Sequence, residues 1–381
     1  MTNNPEPIII TTNAGDIKKI KQFYYPELDG LRFFAFLLIF IHHNNLFTGI
    51  PYLFDIQNNC WVGVDLFFVL SAYLFTKLLV KEYDYTNTIS FRKFYIRRVF
   101  RIWPVYFSFA LLSLAYYFLK SHEMGPHIIA RVIGLFTFTD NIVTAIYGYN
   151  LLPFSAHLWT ISYEEQFYVF IPLLIFFLVR TSFKNRVITF VVAFLVLNLI
   201  RLTMIWYKIP HPAIWVLPVS HFESILMGIV IGFGALDPIL KKVNPALLML
   251  AAVIFFGFIC VLPYLDIVSY WLIATYSCVG LCTSCILYAV LKSSKIKNFL
   301  SNKTLVFLGK RSYGLYLYHL LGNGVALLVI KYLPALPGNH LAAFLYSLIF
   351  TIVVSVISYQ FIEKPFLIWK KKFEVITTRP V

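Results

Sequence analysis

LDGLRFFAFLLIFIHH, residues 28–43, indicates both the fold class and a candidate site. The stretch holds a guanidinium, Arg32, and an imidazole, His43, at the two ends of an apolar run. Eleven helical steps separate them, which is about three turns and about 16 Å along one face of a helix. Ionisable groups are costly in hydrocarbon, so their presence in such a run indicates function.

The rest of the chain has the composition of a helical membrane protein. Of its 381 residues, 60% are hydrophobic and 13% are charged, and the mean hydropathy is +0.76. These values exclude an ordinary soluble domain, and long apolar runs separated by short polar loops are typical of membrane-spanning helices. We predict an all-α polytopic fold of about ten transmembrane helices, at 31–48, 62–82, 103–120, 157–179, 187–206, 219–236, 246–265, 268–290, 313–332 and 341–362.

One domain accounts for these spans. We expect a membrane domain at residues 25–370, between a polar cytoplasmic tail at 1–24 and a basic cytoplasmic tail at 371–381. No small-residue cleavage motif follows the first apolar run, which is typical of a retained span and not of a signal peptide.

The charge distribution predicts the orientation. The formal net charge of +15 would favour nucleic-acid binding in a soluble protein, but cations in a membrane protein hold cytoplasmic loops against an anionic leaflet. If the N-terminus is cytoplasmic, 27 of the 32 Lys and Arg residues fall on the cytoplasmic side. We therefore predict that both termini are cytoplasmic, that membrane lipid surrounds the chain, and that nucleic acid is not a partner.

Residues 127–146 are apolar enough to suggest one more span. Counting them as a span would invert every later loop and abolish the charge bias. The segment also contains Arg131, Asp140 and Asn141. We predict a re-entrant or interfacial element on the outer side, covered by protein or lining a cavity.

Two histidines and an aspartate are candidates for acid–base chemistry. His42 and His43 lie near the outer end of the first span, and Asp65 lies near the outer start of the second. Because the connecting loop is short, the two spans can be neighbours, and a carboxylate can fix the tautomer of an imidazole. Asp65 could instead cap the N-terminus of its own helix.

A cationic segment, FRKFYIRRVFRIWPVYF, precedes the third span. We interpret Arg92 and Lys93 as ordinary cationic residues that hold this end of the helix on the cytoplasmic side. Arg98 and Arg101 lie one helical turn apart against the apolar span, and paired guanidiniums suit a polyphosphate ligand.

Polar residues in later spans are further candidates. Glu164 and Glu165, in HLWTISYEEQFY, point in different directions, and at least one must face a protein interior or a wet cavity unless it pairs with a neighbouring helix. SYGLYLYHL brings Tyr316 and His319 into the ninth span, where a single histidine is often structural.

Metal chemistry is not expected. Cys278, Cys282 and Cys285 have a spacing found in iron–sulfur proteins, but they lie within an apolar helix that cannot wrap a cluster. The sequence has no zinc signature, phosphate-binding loop or nucleophile elbow.

At these residues the chain resembles the acyltransferase-3 family of bacterial integral-membrane acyltransferases. The resemblance covers roughly residues 25–370, and six motifs occur in the family's order. Ala72 stands where a glycine is common, and His42 precedes the expected histidine. We expect the membrane domain only, without the C-terminal extracytoplasmic domain of some members. The motifs are LDGLR with the later His43, GVDLFFVLSAYL, RRVFRIWPVY, HLWTISYEEQFY, SYGLYLYH and SYQFIEKPF.

The resemblance implies an O-acyltransferase of the bacterial inner membrane. Such an enzyme moves an acyl group, most often acetyl, from cytoplasmic acyl-CoA to a hydroxyl of a polysaccharide, lipopolysaccharide or related glycan, and no bound cofactor is implied. By matching position, His43 and Arg32 are catalytic, with Asp65 and Glu164 in support. The residues expected to bind the acyl-CoA donor are Arg98, Arg101, Ser71, Tyr316 and His319.

The same polar residues are also compatible with a different class of protein. A transporter or flippase could use the His, Asp and Glu side chains as a proton relay. The lack of an internal repeat and of paired broken helices argues against this alternative.

Overall fold

Helices make up most of the part of the chain that a computed structural model describes, residues 8–11, 17–20, 23–120, 125–149, 152–376 and 378. Most of the predicted tail at 1–24 lies outside the described residues, as do residues 121–124 of the predicted outer loop and residues 379–381 of the basic tail. A short antiparallel pair, β1 (Ile8–Thr11) and β2 (Ile17–Ile20), precedes the first helix.

The helices follow in chain order. They are α1 (Pro26–His42), α2 (Pro51–Asn59), α3 (Val62–Thr86), α4 (Phe91–Lys120), α5 (Pro126–Thr137), α6 (Asp140–Tyr147), α7 (Trp159–Leu178), α8 (Phe183–Trp206), α9 (Ala213–Val216), α10 (Glu223–Gly232), α11 (Asp237–Leu240), α12 (Pro245–Val261), α13 (Trp271–Lys292), α14 (Ser294–Leu300), α15 (Lys303–Lys310), α16 (Ser312–Tyr332), α17 (His340–Ser358), a π-helical turn (Tyr359–Glu363) and α18 (Lys364–Lys371).

The chain is a multi-pass membrane protein of the all-α class, as predicted. A helix coincides with each of the ten predicted spans. Within the described residues, seven stretches of helix are long and apolar enough to cross a bilayer, whereas α1, α10 and α12 are shorter. The number of ten spans and the orientation of the termini stay predictions.

The first predicted span, 31–48, is too long at its outer end. The helix ends at His42, because the Asn44 side-chain amide bonds the Phe40 carbonyl at 2.7 Å and competes with continued helix. His43 is therefore the C-terminal cap residue of α1 and lies at the boundary of the apolar run.

The ambiguous segment 127–146 forms two short helices, α5 and α6, in place of one spanning helix. Its buried arginine is held by other protein groups. Arg131 Nε lies 2.8 Å from Asp140 Oδ1, and its other nitrogens donate to Thr144 and to the Ser155 carbonyl. This matches the expectation that the segment is covered by protein.

Helix α3 is largely buried, because it packs against α1, α7, α10 and α13. In the most apolar 18 residues of Pro51–Thr86, the stretch that contains α3, 78% of the window is buried, whereas the corresponding share in α8 is 17%. A 24-residue helix that leaves its apolar side chains uncovered needs a lipid environment.

Close contact between α3 and α10 depends on glycine. A Cβ built on Gly228 would approach the Cβ of Ala72 to 2.7 Å, so a larger residue would separate the helices. This contact brings the outer part of α10 beside Asp65 of α3.

Candidate active site

Three adjoining cavities lie in a row along α1. The basic cavity (about 100 Å³) is lined by Arg32, Arg98, Arg101 and Lys370, the central cavity (about 90 Å³) by Ser71 and Glu164, and the histidine cavity (about 540 Å³) by His42, His43 and His157, each together with other residues. Neighbouring cavities share walls. Arg32, Phe75, Arg98 and Arg101 border the first two, and Val64, Thr160 and Tyr316 border the last two.

His43 is exposed to the histidine cavity and is held by its Nδ1 atom. That atom lies 3.1 Å from the Ile39 carbonyl oxygen and 3.1 Å from Nε2 of His319. The Nδ1 atom of His319 lies 2.5 Å from the Tyr316 carbonyl oxygen.

These contacts define the tautomer of each ring. A carbonyl only accepts, so Nδ1 of His319 carries a proton and its Nε2 atom is the acceptor. Nδ1 of His43 then donates to both the Ile39 carbonyl and His319, which leaves the lone pair of His43 on Nε2. His43 is thereby arranged as a base, and His319 acts as the group that orients it.

His42 lines the same cavity but lacks this support. Its ring lies 4.9 Å from that of His43, centroid to centroid. Its buried Nδ1 has no hydrogen-bond partner among the residues the structure describes. These contacts therefore favour His43 over His42 as the base.

His157 is a site residue that the sequence reasoning missed. It is buried, and its ring centroid lies 4.7 Å from that of His319 and 5.0 Å from that of Tyr316. Within the described part of the chain, neither of its ring nitrogens has a hydrogen-bond partner. The available signal was its position as the first residue of the motif HLWTISYEEQFY.

Tyr316 separates the histidine cavity from the central cavity. Its hydroxyl lies 2.6 Å from the hydroxyl of Thr160 and donates to the His157 carbonyl at 3.1 Å. The side chains of Val64, Thr160 and Tyr316 therefore form the wall between the two cavities.

Glu164 and Ser71 meet in the central cavity. The glutamate accepts hydrogen bonds from Tyr168 at 2.7 Å and from Ser71 at 3.4 Å. Glu165 points elsewhere and accepts from Trp103 at 3.4 Å. The expectation that one of the two glutamates faces a cavity is thus met by Glu164.

Arg98 and Arg101 extend from one face of α4 into the basic and central cavities. The Arg98 guanidinium lies 4.3 Å from the ring centroid of Phe75, close enough for a cation–π contact. Arg32 forms an ion pair with Asp29 at 3.5 Å. Arg32 and His43 thus open onto different cavities, as their separation along α1 requires.

The expected contact between Asp65 and the histidines of α1 is wrong. The Asp65 carboxylate accepts from Ser224 at 2.6 Å and lies 2.9 Å from Nε2 of His221. His221 in turn stacks on Trp215 at 4.3 Å and bonds its carbonyl at 3.0 Å. Sequence proximity suggested the wrong imidazole, because the Asp65 side chain faces α10 and the loop before it, where Ser224 and His221 lie.

The outer wall of the histidine cavity is aromatic and polar. It includes the indoles Trp61, Trp159 and Trp215. Its polar members are contributed by loops and by short helices, and no sequence pattern singled them out. They are Asn58, Tyr149, His211, Tyr264 and Asp266.

His211 is a neutral hydrogen-bonding group in this wall. Burial lowers its pKa, although the nearby Asp266 acts in the opposite direction. Its Nε2 atom lies 3.2 Å from the hydroxyl of Tyr149. The wall therefore offers hydroxyl, imidazole, amide and carboxylate groups beside flat apolar rings.

Comparisons with known proteins agree on one family. The acyltransferase-3 family, described as an acyltransferase domain, matches residues 25–360. "Putative O-acetyltransferase SACOL0978" of Staphylococcus aureus (strain COL) is 30% identical over 96% of this chain and 61% of its own length. "O-acetyltransferase OatA" of Staphylococcus aureus (strain NCTC 8325 / PS 47) is 29% identical over the same shares. The chain thus spans 61% of the length of these relatives. No solved protein structure matches the chain significantly.

Proposed function

The chain belongs to the acyltransferase-3 family, and we propose that it is an O-acetyltransferase that transfers an acetyl group from cytoplasmic acyl-CoA to a glycan acceptor at the outer face of the bacterial inner membrane. One observation carries the proposal. A row of cavities leads from a cluster of cations to the lone-pair nitrogen of His43.

The basic cavity suits the head of acyl-CoA. Its diphosphate and ribose phosphate are multiply charged, and guanidiniums bind such groups through paired, charge-assisted hydrogen bonds. Arg98 and Arg101 supply two guanidiniums from one helical face, and Arg32 supplies a third from α1. The charge bias of the sequence supports a cytoplasmic position for this end of the molecule, and acyl-CoA is made in the cytoplasm.

The central cavity suits the pantetheine arm. This arm is thin and ends in the thioester, and the cavity leads toward the wall formed by Thr160 and Tyr316. Ser71 and Glu164 offer a hydroxyl and a carboxylate for the amide groups of the arm. The acyl group then reaches the vicinity of His43 while the phosphates stay with the arginines.

His43 performs the transfer as a general base. Its Nε2 atom takes the proton of the acceptor hydroxyl while the hydroxyl oxygen attacks the thioester carbonyl carbon. The carbon–sulfur bond then breaks, and the CoA thiolate takes up the proton and leaves. In a second route Nε2 first attacks the thioester carbonyl carbon, the carbon–sulfur bond breaks and the CoA thiolate leaves. The acceptor hydroxyl oxygen then attacks the acyl carbon, the bond to Nε2 breaks, and the hydroxyl proton passes to the thiolate.

The wall of the histidine cavity suits a sugar. Flat indole rings pack on the apolar faces of pyranose rings, and Asn58, His211 and Asp266 can bond sugar hydroxyls. At about 540 Å³ the cavity is large enough for one or two sugar units. A polysaccharide, a lipopolysaccharide or a related lipid-linked glycan would present the acceptor hydroxyl here.

Release of CoA thiol tests the proposal. Purified protein in lipid nanodiscs receives acetyl-CoA with and without a glycan fraction from the source cells, and free thiol and base-labile acetate on the glycan are measured. We expect equal amounts of both, and neither with His43→Ala. If acetyl-CoA is not consumed while protons move through the protein in liposomes, the transporter alternative replaces this function.

A further inference from the structure

The segment that follows the last membrane-spanning helix packs against the arginine-bearing end of α4. The ring of Phe100 meets three rings of this segment, at centroid distances of 6.3 Å to Phe366, 6.2 Å to Trp369 and 5.9 Å to Phe373. The Arg97 side chain also donates to the Phe373 carbonyl at 3.0 Å. This part of the segment is thus fixed one helical turn or less from Arg98 and Arg101.

Lys370 is the buried member of a run of three lysines. Its exposed fraction is 7%, whereas Lys371 and Lys372 are exposed. All three would serve equally as positive anchors at a membrane surface, so that role does not explain why one is buried. The burial follows from the packing of α18, which turns Lys370 toward the basic cavity.

Cations outnumber carboxylates among the described residues that line the basic cavity. These residues include four cations, Arg32, Arg98, Arg101 and Lys370, and one carboxylate, Asp29. Lys370 also contacts the Glu374 carboxylate at 3.3 Å, which itself accepts from the Thr378 hydroxyl at 2.8 Å. Burying like charges together is unfavourable unless an anion joins them.

We infer that Lys370 is a fourth cationic ligand of the donor site and contacts a phosphate group of acyl-CoA. The inference rests on the proposed function, since it extends the same donor site to a residue from a different part of the chain. Lysine acts there as a mobile point charge beside the guanidiniums of Arg98 and Arg101.

A purely structural role for Lys370 makes a different prediction. If its only partner were Glu374, the pair would hold the segment in place and would influence stability but not donor affinity. The same cavity could also take the phosphate of an anionic lipid, which shares the chemistry of the CoA phosphates. The experiment therefore measures donor affinity, lipid dependence and thermal stability separately.

Acetyl-CoA binding to the purified full chain in neutral-lipid nanodiscs is measured by calorimetry. The variants are Lys370→Met, which keeps the apolar stem, Lys370→Arg, which keeps the charge, and Lys371→Ala as the exposed control. We expect Lys370→Met to weaken binding about tenfold to a hundredfold, the range for a lost charge-assisted hydrogen bond. Lys370→Arg should bind within about threefold of the parent, and Lys371→Ala should equal the parent, because an exposed surface charge contributes little.

Dephospho-CoA, which lacks the ribose 3′-phosphate, identifies the group that Lys370 contacts. If Lys370→Met no longer weakens binding of this probe, the contact is with the 3′-phosphate, and if the loss persists, the contact is with the diphosphate. Either result supports the inference, since both make Lys370 a phosphate ligand.

Arg98→Ala, measured in parallel, separates the two hypotheses. If Arg98→Ala weakens binding and Lys370→Met matches Lys371→Ala, Lys370 is not a donor ligand, although the donor site stands. If neither variant weakens binding, the donor site itself is elsewhere. A loss of anionic-lipid retention or of thermal stability with unchanged acetyl-CoA affinity also overturns the inference.

Discussion

Replacing His43, His319 and His42 by alanine, one at a time, should have three very different effects. His43 carries the lone pair on Nε2, and its Nδ1 atom is held at 3.1 Å by both the Ile39 carbonyl and His319. His42 contacts the ring of His43 but has no hydrogen bond on its buried Nδ1 within the described structure. The three residues therefore correspond to the base, its orienting partner and a neighbour.

The contacts set the size of each effect. Loss of a general base costs about 10²–10⁴-fold in rate, which is about 2.7–5.4 kcal/mol, and loss of an acyl carrier would cost more. His319→Ala removes one neutral hydrogen bond of about 0.5–1.5 kcal/mol, or about twofold to thirteenfold. This loss is small because the Ile39 carbonyl still holds the tautomer. His42→Ala should stay within about twofold of the parent.

The assay is transfer of acetyl from acetyl-CoA to the glycan fraction, with protein amount and thermal unfolding recorded for each variant. His43→Asn is a matched control, since its amide can retain the bond to the Ile39 carbonyl without supplying a base. We expect it to be as inactive as His43→Ala but more stable. An inactive His42→Ala beside an active His43→Ala would refute the assignment, and a His319→Ala variant as inactive as His43→Ala would make His319 the base.

Three further outcomes are expected. Arg98→Lys and Arg101→Lys should each weaken acetyl-CoA binding about tenfold in calorimetry, because lysine cannot make bidentate contacts. The control Arg92→Lys, at an exposed position, should bind acetyl-CoA as the parent does. Equal affinities of all three variants would contradict this prediction. Arg131→Ala should lower the free energy of unfolding by about 3–5 kcal/mol, since Asp140 would remain buried without its cation. The surface variant Lys242→Ala is the control, and equal melting temperatures of the two variants would contradict this prediction. In a cysteine-replaced background, an impermeant thiol reagent applied outside the cell should label a cysteine at position 146 but not one at 184, and the reverse pattern would invert the topology.

Much of the fold was predictable because lipid imposes a simple rule. Each span must be a long apolar helix, so hydropathy located a helix at every predicted position. Errors arose where polar side chains end a helix, as Asn44 does after α1. The two short helices of 126–147 escape the rule, because their buried Arg131 is satisfied by partners that only the folded structure brings together.

Site residues within one helix were easier to predict than contacts between helices. The spacing of Arg32 and His43, and that of Arg98 and Arg101, follows from helical geometry alone. Asp65 was assigned to the wrong imidazole because nothing in the sequence indicates how closely α10 approaches α3. His157 and Lys370 were missed for the same reason, since their importance depends on packing between distant segments.

Separation of the cations from His43 also has an energetic consequence. Moving the phosphates of CoA to the outer end of α1 would place several negative charges in the low-dielectric interior, at a cost of several kcal/mol for each. In the proposed function the basic cavity holds these phosphates at the opposite end, and the narrow central cavity takes the arm that carries the thioester. Only the acyl group would then pass the wall of Thr160 and Tyr316, so the spent CoA should leave on the side from which it entered. Such an arrangement would deliver an acyl group across the membrane interior without transporting the charged donor.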